Sequence, residues 1–75
     1  MPNRYEEAYN KIGINILYYR KSKGLTQEEL AELSNYSRNH IQQIETGKTA
    51  PSVALLLDVA AALEIPIYKL FEFDR

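Results

Sequence analysis

Apolar residues recur at helical spacing along the first third of the chain. They are Tyr5, Tyr9, Ile12, Ile16 and Tyr19. Residues three and four apart share one side of an α-helix, so the spacing predicts a first helix from Tyr5 to Lys23 with this stripe on its buried side. Gly24 follows as the expected C-terminal cap.

A capping box predicts the start of a second helix. In the T-Q-E-E motif at 26–29, the Thr26 hydroxyl is expected to accept a hydrogen bond from the Glu29 N–H, and the Glu29 carboxylate one from the Thr26 N–H. Leu25 and Leu30 have the spacing of a hydrophobic staple around this cap. The second helix is expected to end near Ser34.

A tight turn and a third helix follow. Asn35 tolerates the left-handed conformation and Ser37 is a suitable N-cap, so Asn35-Tyr36 is predicted as a turn and 37–46 as helix 3, closed by Gly47. Ile41 and Ile44 would form its buried face. Two short helices joined by a tight turn are the helix-turn-helix arrangement.

Two prolines mark the remaining elements. Pro51-Ser52 predicts the start of helix 4, whose apolar residues run nearly all the way round and indicate the most buried helix. Pro66 predicts the start of a last helical turn or two over 67–71. Three apolar side chains there are expected to cover helix 4: Ile67, Leu70 and Phe71.

The outer side of the predicted helix 3 carries guanidinium, amide and imidazole groups. They are Arg38, Asn39, His40, Gln42 and Gln43. In the DNA major groove, Arg is the bidentate partner of guanine, and Asn or Gln that of adenine. An ordinary solvated helix would instead carry Glu–Lys pairs. This side therefore predicts base reading; for His40 a phosphate contact or plain solvent exposure is the alternative.

The chain resembles the Cro/cI-type (XRE-like) helix-turn-helix family over 12–71, sixty of its 75 residues. The matching motifs, in order, are I-G-I-N-I-L-Y-Y-R, G-L-T-Q-E-E-L-A, S-R-N-H-I-Q-Q-I-E-T-G-K and P-S-V-A-L-L-L-D-V-A-A-A-L. The resemblance implies an all-α fold: a compact five-helix, lambda-repressor-like DNA-binding domain with helices 2 and 3 as the helix-turn-helix. We expect residues 1–75 to form one such domain.

The resemblance also implies roles for residues beyond the base-reading side. Those implied to bind DNA phosphates are Gln27, Ser37, Thr46, Gly47 and Lys48. Arg20 and Glu45 match a family pair that would link helix 1 to the end of helix 3 as an orienting salt bridge. Asn35 and Glu64 stand where the family usually has glycine, so both turns are expected to differ slightly in geometry.

Two groups of apolar residues are candidates for contact with a second chain. Ile14, Leu17 and Tyr18 share one side of helix 1, where the resembling family usually has polar residues, and an exposed apolar stripe is usually covered. Tyr68 and Phe73 exceed what the short last helix can bury. Because the family often pairs at this end, we expect the dimer contact there, with the helix 1 stripe as the rival surface.

Composition narrows the function classes. The 9 Lys+Arg against 10 Asp+Glu do not by themselves indicate a nucleic-acid binder, although residues 20–48 carry five basic and four acidic groups. With one His, no Cys and no nucleophile–base pair, we expect no metal, cofactor, small-molecule substrate or enzymatic activity. Neither an apolar leader nor a long apolar run is present, so we expect a cytoplasmic protein without membrane contact.

Two functions follow from these features. The favoured one is sequence-specific binding of double-stranded DNA by a transcriptional regulator, repressor-like and homodimeric on a near-palindromic operator. The alternative is a protein-interaction module with the same fold, such as an antitoxin or anti-repressor partner. The acidic charge balance and the helix 1 stripe favour that alternative.

Overall fold

The computed structural model describes residues 5–73, which form four α-helices and one 3-10 helix. The elements in chain order are α1 (Glu6–Ser22), α2 (Gln27–Ser34), α3 (Arg38–Glu45), α4 (Val53–Leu63) and the 3-10 helix (Ile67–Phe71). No strand occurs within 5–73, so the all-α class is confirmed, whereas the expected fifth α-helix is a 3-10 helix. The predicted domain limits at 1 and 75, and the first four residues of the segment 1–7 expected to lack an apolar leader, lie outside the described residues.

Side-chain caps set where three of the α-helices begin. The Thr26 hydroxyl accepts from the Glu29 N–H at 3.0 Å and the Glu29 carboxylate accepts from the Thr26 N–H at 2.8 Å, which confirms the predicted capping box. Ser37 and Ser52 cap α3 and α4 in the same way, each accepting one backbone N–H at 3.0 Å. Each cap satisfies an N–H that has no partner within its helix.

All four α-helices end in the same hydrogen-bonding motif. A residue with a left-handed backbone follows each helix: Gly24, Asn35, Gly47 and Glu64. In each case its N–H bonds to the carbonyl three residues back, and the next N–H bonds to the carbonyl five residues back. This is the Schellman motif, which satisfies two carbonyls at the helix end and reverses the chain at once. The two departures from glycine therefore keep the left-handed geometry, with φ of 65° at Asn35 and 58° at Glu64.

The core lies between the four α-helices and the 3-10 helix. It consists of Ile12, Ile16, Leu30, Ala31, Ile41, Ile44, Leu55, Leu56, Val59, Ala60, Leu63 and Leu70. Of the five apolar residues predicted to form the buried side of α1, Ile12 and Ile16 reach this core, Tyr9 and Tyr19 are half-buried, and Tyr5 is exposed. The predicted buried face of α3, Ile41 and Ile44, is confirmed.

One expectation about the second half of the chain is confirmed and one is wrong. In α4, 5 of 11 residues are buried, the highest share among the described α-helices, so α4 is the most buried helix as predicted. Val53 at its start is nevertheless 70% exposed, because a chain this short supplies neighbours for one side only. Phe71, expected in the core, is exposed, whereas Phe73 is half-buried against the core. The 3-10 helix has three residues per turn, so Ile67 and Leu70 share the inner side and Phe71, one residue further on, does not; Phe73 follows the helix.

A buried asparagine ties the end of the described chain to α1. Asn15 is almost fully buried and its Nδ2 donates to the carbonyls of Leu70 and Glu72, both at 3.0 Å. These two acceptors lie just where the 3-10 helix ends and regular backbone pairing stops. The side chain therefore replaces the water that would otherwise bind them.

None of the described helices is long and apolar enough to cross a lipid bilayer.

We expect Glu64→Gly to stabilise the protein. A non-glycine residue in the left-handed region costs about 1–2 kcal/mol, part of which is offset because glycine loses more backbone entropy on folding. The net gain should be about 0.5–1 kcal/mol in the free energy of unfolding, measured by urea titration.

Ala61→Gly is the matched control for this variant. Ala61 lies within α4, is exposed to solvent and has ordinary helical backbone geometry. Its replacement by glycine gives the unfolded chain the same additional freedom as Glu64→Gly but relieves no strain in the folded state. It should lose about 1 kcal/mol. Equal losses in the two variants would contradict the strain assigned to Glu64.

Candidate nucleic-acid interface

Helix α3 has one buried and one open side. Ile41 and Ile44 are each 1% exposed and fix the inner side on the core. On the other side, Arg38 and Asn39 are exposed, whereas His40, Gln42 and Gln43 are half-buried. The five residues predicted to read bases therefore lie at the surface of one helix, though to different depths.

The turn before α3 is fastened to α4. The Tyr36 hydroxyl donates to Asp58 Oδ2 at 2.8 Å, and the Tyr36 ring meets the His40 ring edge to face, with centroids 5.4 Å apart. The hydrogen bond, with smaller effects from burial and from the carboxylate charge, raises the pKa of Tyr36 above its ordinary value of 10.0. The hydroxyl therefore stays protonated at neutral pH and continues to donate.

A buried ion pair joins α1 to the end of α3. Arg20 Nε donates to Glu45 Oε2 at 2.6 Å and Nη2 to Oε1 at 3.2 Å, while Nη1 donates to the Leu25 carbonyl at 2.7 Å. The two side chains are only 8% and 3% exposed. The Arg20–Glu45 pair expected from the family resemblance is therefore present, in bidentate geometry, and it also fixes the segment leading into α2.

Gln27 extends this buried network into α2. It is the first residue of the helix, and its Nε2 donates to Glu45 Oε1 at 2.9 Å. The side chain predicted to bind a phosphate is thus held by Glu45, with one of its two N–H donors in use. Among the described residues every buried side-chain nitrogen or oxygen has a hydrogen-bond partner, so the network is complete.

Gly13 lets α1 and α3 approach closely. A Cβ at this position would lie 2.6 Å from the Glu45 carbonyl oxygen, 2.8 Å from its carbonyl carbon, and closer still to the Ile44 carbonyl oxygen. These are backbone atoms that no side-chain rotation can move. The absence of a side chain at Gly13 therefore allows the backbone contact that the Arg20–Glu45 pair reinforces.

The loop after α3 holds the remaining predicted phosphate contacts. The Thr46 hydroxyl donates to the Gln42 and Gln43 carbonyls at 3.0 and 3.2 Å, and Lys48 is exposed. Gly47 has φ of 75° and faces Asn10, with which a Cβ would overlap. Ser37, the other predicted contact, lies at the opposite end of α3, where its Oγ accepts the His40 N–H.

The candidate partner surfaces differ in exposure. Ile14 and Tyr18 are 56% and 53% exposed and Leu17 is half-buried, so the α1 stripe faces outward as expected. Tyr68 is 59% exposed, while Phe73 lies under Lys11, whose Nζ is 5.7 Å from the ring centroid. Tyr68 is therefore the more accessible of the two residues predicted at the C-terminal contact.

Sequence reasoning missed several positions that shape this interface. Gly13 and the Tyr36–Asp58 bond join elements far apart in sequence, and no local pattern marks them. Thr49 Oγ1 donates to Gln43 Oε1 at 2.8 Å. The turn at Gly47 makes this contact possible, and the separation of 6 residues between Gln43 and Thr49 could have suggested it. No group of three or more His, Cys, Asp or Glu among residues 5–73 could hold a metal ion.

Comparison with known proteins places this geometry in a family. Residues 16–70 match the Helix-turn-helix family HTH_3. The HTH-type transcriptional regulator SlrR of Bacillus subtilis is 42% identical over 64 residues, which cover 84% of this chain and 42% of SlrR. The chain therefore spans less than half the length of that relative.

Two solved structures have the same fold. The restriction-modification controller protein C.AhdI of Aeromonas hydrophila superposes with a TM-score of 0.88 at 33% identity, covering 92% of this chain and all of that one. PlcR of Bacillus thuringiensis, solved in complex with the peptide PapR7 and DNA, gives a TM-score of 0.76 at 35% identity, covering 87% of this chain and 23% of PlcR. The chain belongs to the helix-turn-helix family of XRE-like transcriptional regulators.

We expect Arg20→Met to destabilise the fold by about 3–5 kcal/mol, because it leaves the Glu45 carboxylate buried without its counter-charge. Arg20→Met combined with Glu45→Leu should recover much of this loss, since no buried charge remains. Urea unfolding followed by circular dichroism measures both.

Lys11→Met is the matched control. It removes a cation from the exposed Lys11–Glu7 pair, whose atoms are 3.2 Å apart, and should cost less than about 1 kcal/mol. A loss as large as that of Arg20→Met would show that removing any cation from α1 has this effect.

Proposed function

We propose that this protein binds double-stranded DNA sequence-specifically and regulates transcription, in the manner of a repressor. The observation that carries the proposal is the open side of α3. Arg38, Asn39 and Gln43 lie on this side, and the opposite side of the helix is packed in the core. An α-helix is about 10–12 Å across with its side chains and fits a major groove about 12 Å wide. Such a regulator would act in the cytoplasm.

Rigidity of α3 supports the proposal as much as its side chains do. The helix is capped by Ser37 at its start, closed by the Gly47 turn at its end, and held from below by the Glu45 ion pair. A base-reading group loses less entropy on binding when its backbone is already fixed. The fixed backbone of α3 therefore favours base recognition by the side chains on its open side.

Phosphate contacts at both ends of α3 would set the register on the duplex. The proposed donors are Gln27, Ser37, Thr46, the Gly47 backbone N–H and Lys48. Few of these are cations, so binding would release few counterions and depend only moderately on salt. Specificity would come from α3 rather than from a strong overall attraction to DNA.

A homodimer on a near-palindromic operator completes the proposal. Two copies of α3 about 34 Å apart would enter successive major grooves on one side of the duplex. The exposed ring of Tyr68 supports the C-terminal end as the contact.

The exposed α1 stripe supports a second function. Ile14, Leu17 and Tyr18 with Lys21 and Ser22 line a shallow apolar depression. A protein-interaction module that acts without DNA would use this surface. Such a module would not be retained by duplex DNA at low salt, which distinguishes the two proposals.

We expect Arg38→Ala to weaken binding to the selected duplex by about 1–3 kcal/mol and to relax preference at one base pair. Gln27→Ala should weaken binding to all sequences alike, because a phosphate contact carries no sequence information. Selection from random duplexes identifies the site, and fluorescence anisotropy on that site and on a scrambled one measures both effects.

Lys21→Ala is the control for loss of positive charge, since Lys21 is exposed on α1 and belongs neither to the proposed DNA contacts nor to the proposed C-terminal dimer contact. It should leave specific binding within about twofold, because an exposed charge away from the duplex is largely screened. If the wild-type protein enriches no motif and fails to bind duplex DNA at low salt, the DNA-binding proposal is wrong and the interaction module remains.

We expect the protein to be a dimer whose dissociation constant rises more than tenfold in Tyr68→Glu, because a charge replaces an apolar contact at the proposed interface. Tyr18→Glu, a matched change on the α1 stripe, should have little effect. Sedimentation equilibrium measures both. The opposite order of effects would assign the interface to the α1 stripe.

A further inference from the structure

The Schellman turn after α3 brings Thr49 back to Gln43. The Lys48 N–H bonds to the Gln43 carbonyl at 2.9 Å and the Gly47 N–H to the Ile44 carbonyl at 3.1 Å, which reverses the chain within one turn. The Thr49 hydroxyl then donates to Gln43 Oε1 at 2.8 Å, and both residues are half-buried. One of the proposed base-reading side chains is therefore held by a residue outside the helix.

This bond distinguishes the two ends of the Gln43 amide. The side-chain oxygen accepts from Thr49, and among the described residues no acceptor is bonded to Nε2. Bidentate reading of adenine would need both ends, the oxygen for the adenine N6 donor and the NH2 for N7. With one of the two lone pairs of its oxygen engaged by Thr49, Gln43 keeps two N–H donors and only one acceptor position for a base.

We infer that Thr49 is a positioning residue that makes Gln43 a donor, so that Gln43 selects guanine or thymine at the base pair it contacts. These two bases carry acceptors and no donor on their major-groove edge, at guanine N7 and O6 and at thymine O4. Cytosine presents a donor there, and adenine a donor beside its acceptor, so both oppose an NH2 group. This inference rests on the proposed DNA binding and specifies the base class for one contact.

Selection from random duplexes tests the inference with four proteins. The position whose preference disappears in Gln43→Ala is the one that Gln43 reads, and the wild-type protein is expected to enrich guanine or thymine there by about tenfold. Thr49→Val, nearly equal in size but without the hydroxyl, should shift that position towards adenine and leave the other positions unchanged. Thr49→Ser, which keeps the hydroxyl, should retain the wild-type preference.

A measurement without DNA accompanies the selection. In the free protein, the Gln43 side-chain NH2 resonances in a 15N–1H spectrum should move in Thr49→Val and stay near their wild-type positions in Thr49→Ser. Unchanged resonances in Thr49→Val would overturn the hydrogen bond as the orienting contact.

The outcomes separate this inference from the proposal on which it depends. A wild-type motif with adenine or cytosine at the Gln43 position, or one that Thr49→Val leaves unchanged, overturns the role of Thr49 while DNA binding stands. Failure of the wild-type protein to enrich any motif overturns the proposed function and this base preference together.

Discussion

The Arg20–Glu45 ion pair is the constraint on which the rest of the structure around α3 depends. One guanidinium binds the end of α3 through two bonds and the segment before α2 through a third, and Gln27 adds a bond from α2 to the same carboxylate. A buried pair of this kind contributes little net stability when weighed against apolar residues of the same size. Its effect here is geometric, since it fixes three helices relative to one another at the place where Gly13 lets two backbones touch.

The open side of α3 gains its definition from contacts that lie outside α3. Asp58 on α4 holds the Tyr36 hydroxyl, and Tyr36 packs on His40 at the start of the helix. Asn15 likewise fixes the end of the 3-10 helix, where it donates to the Leu70 and Glu72 carbonyls. Polar side chains thus position the surface elements, while the apolar core supplies the stability. This division of roles explains how the side chains on a surface with few cations can still have defined positions.

Much of the fold could be predicted from the sequence because its signals are local. The capping box at Thr26, the left-handed Asn35 and the serine caps each act within four residues, and all of them are present. Prediction failed for residues whose burial depends on which element of the fold packs against them. Nothing near Val53 reveals that no element covers its side of α4, and the exposure of Phe71 follows from the 3-10 geometry, in which Ile67 and Leu70 take the inner side. Within the candidate site, the exposed face of α3 was predictable, whereas the engagement of Gln27 by Glu45 and of Gln43 by Thr49 required the tertiary fold.

The four Schellman ends have a consequence for folding kinetics. Each reverses the chain immediately, so the segments between successive α-helices contain only four, three and seven residues. Helices that are neighbours in sequence can therefore meet with little loss of loop entropy, and the slow search for distant partners that limits sheet proteins is largely avoided. Chains dominated by such local contacts typically fold in microseconds to milliseconds. A domain with so thin a core would thus return rapidly to its native state after each transient unfolding.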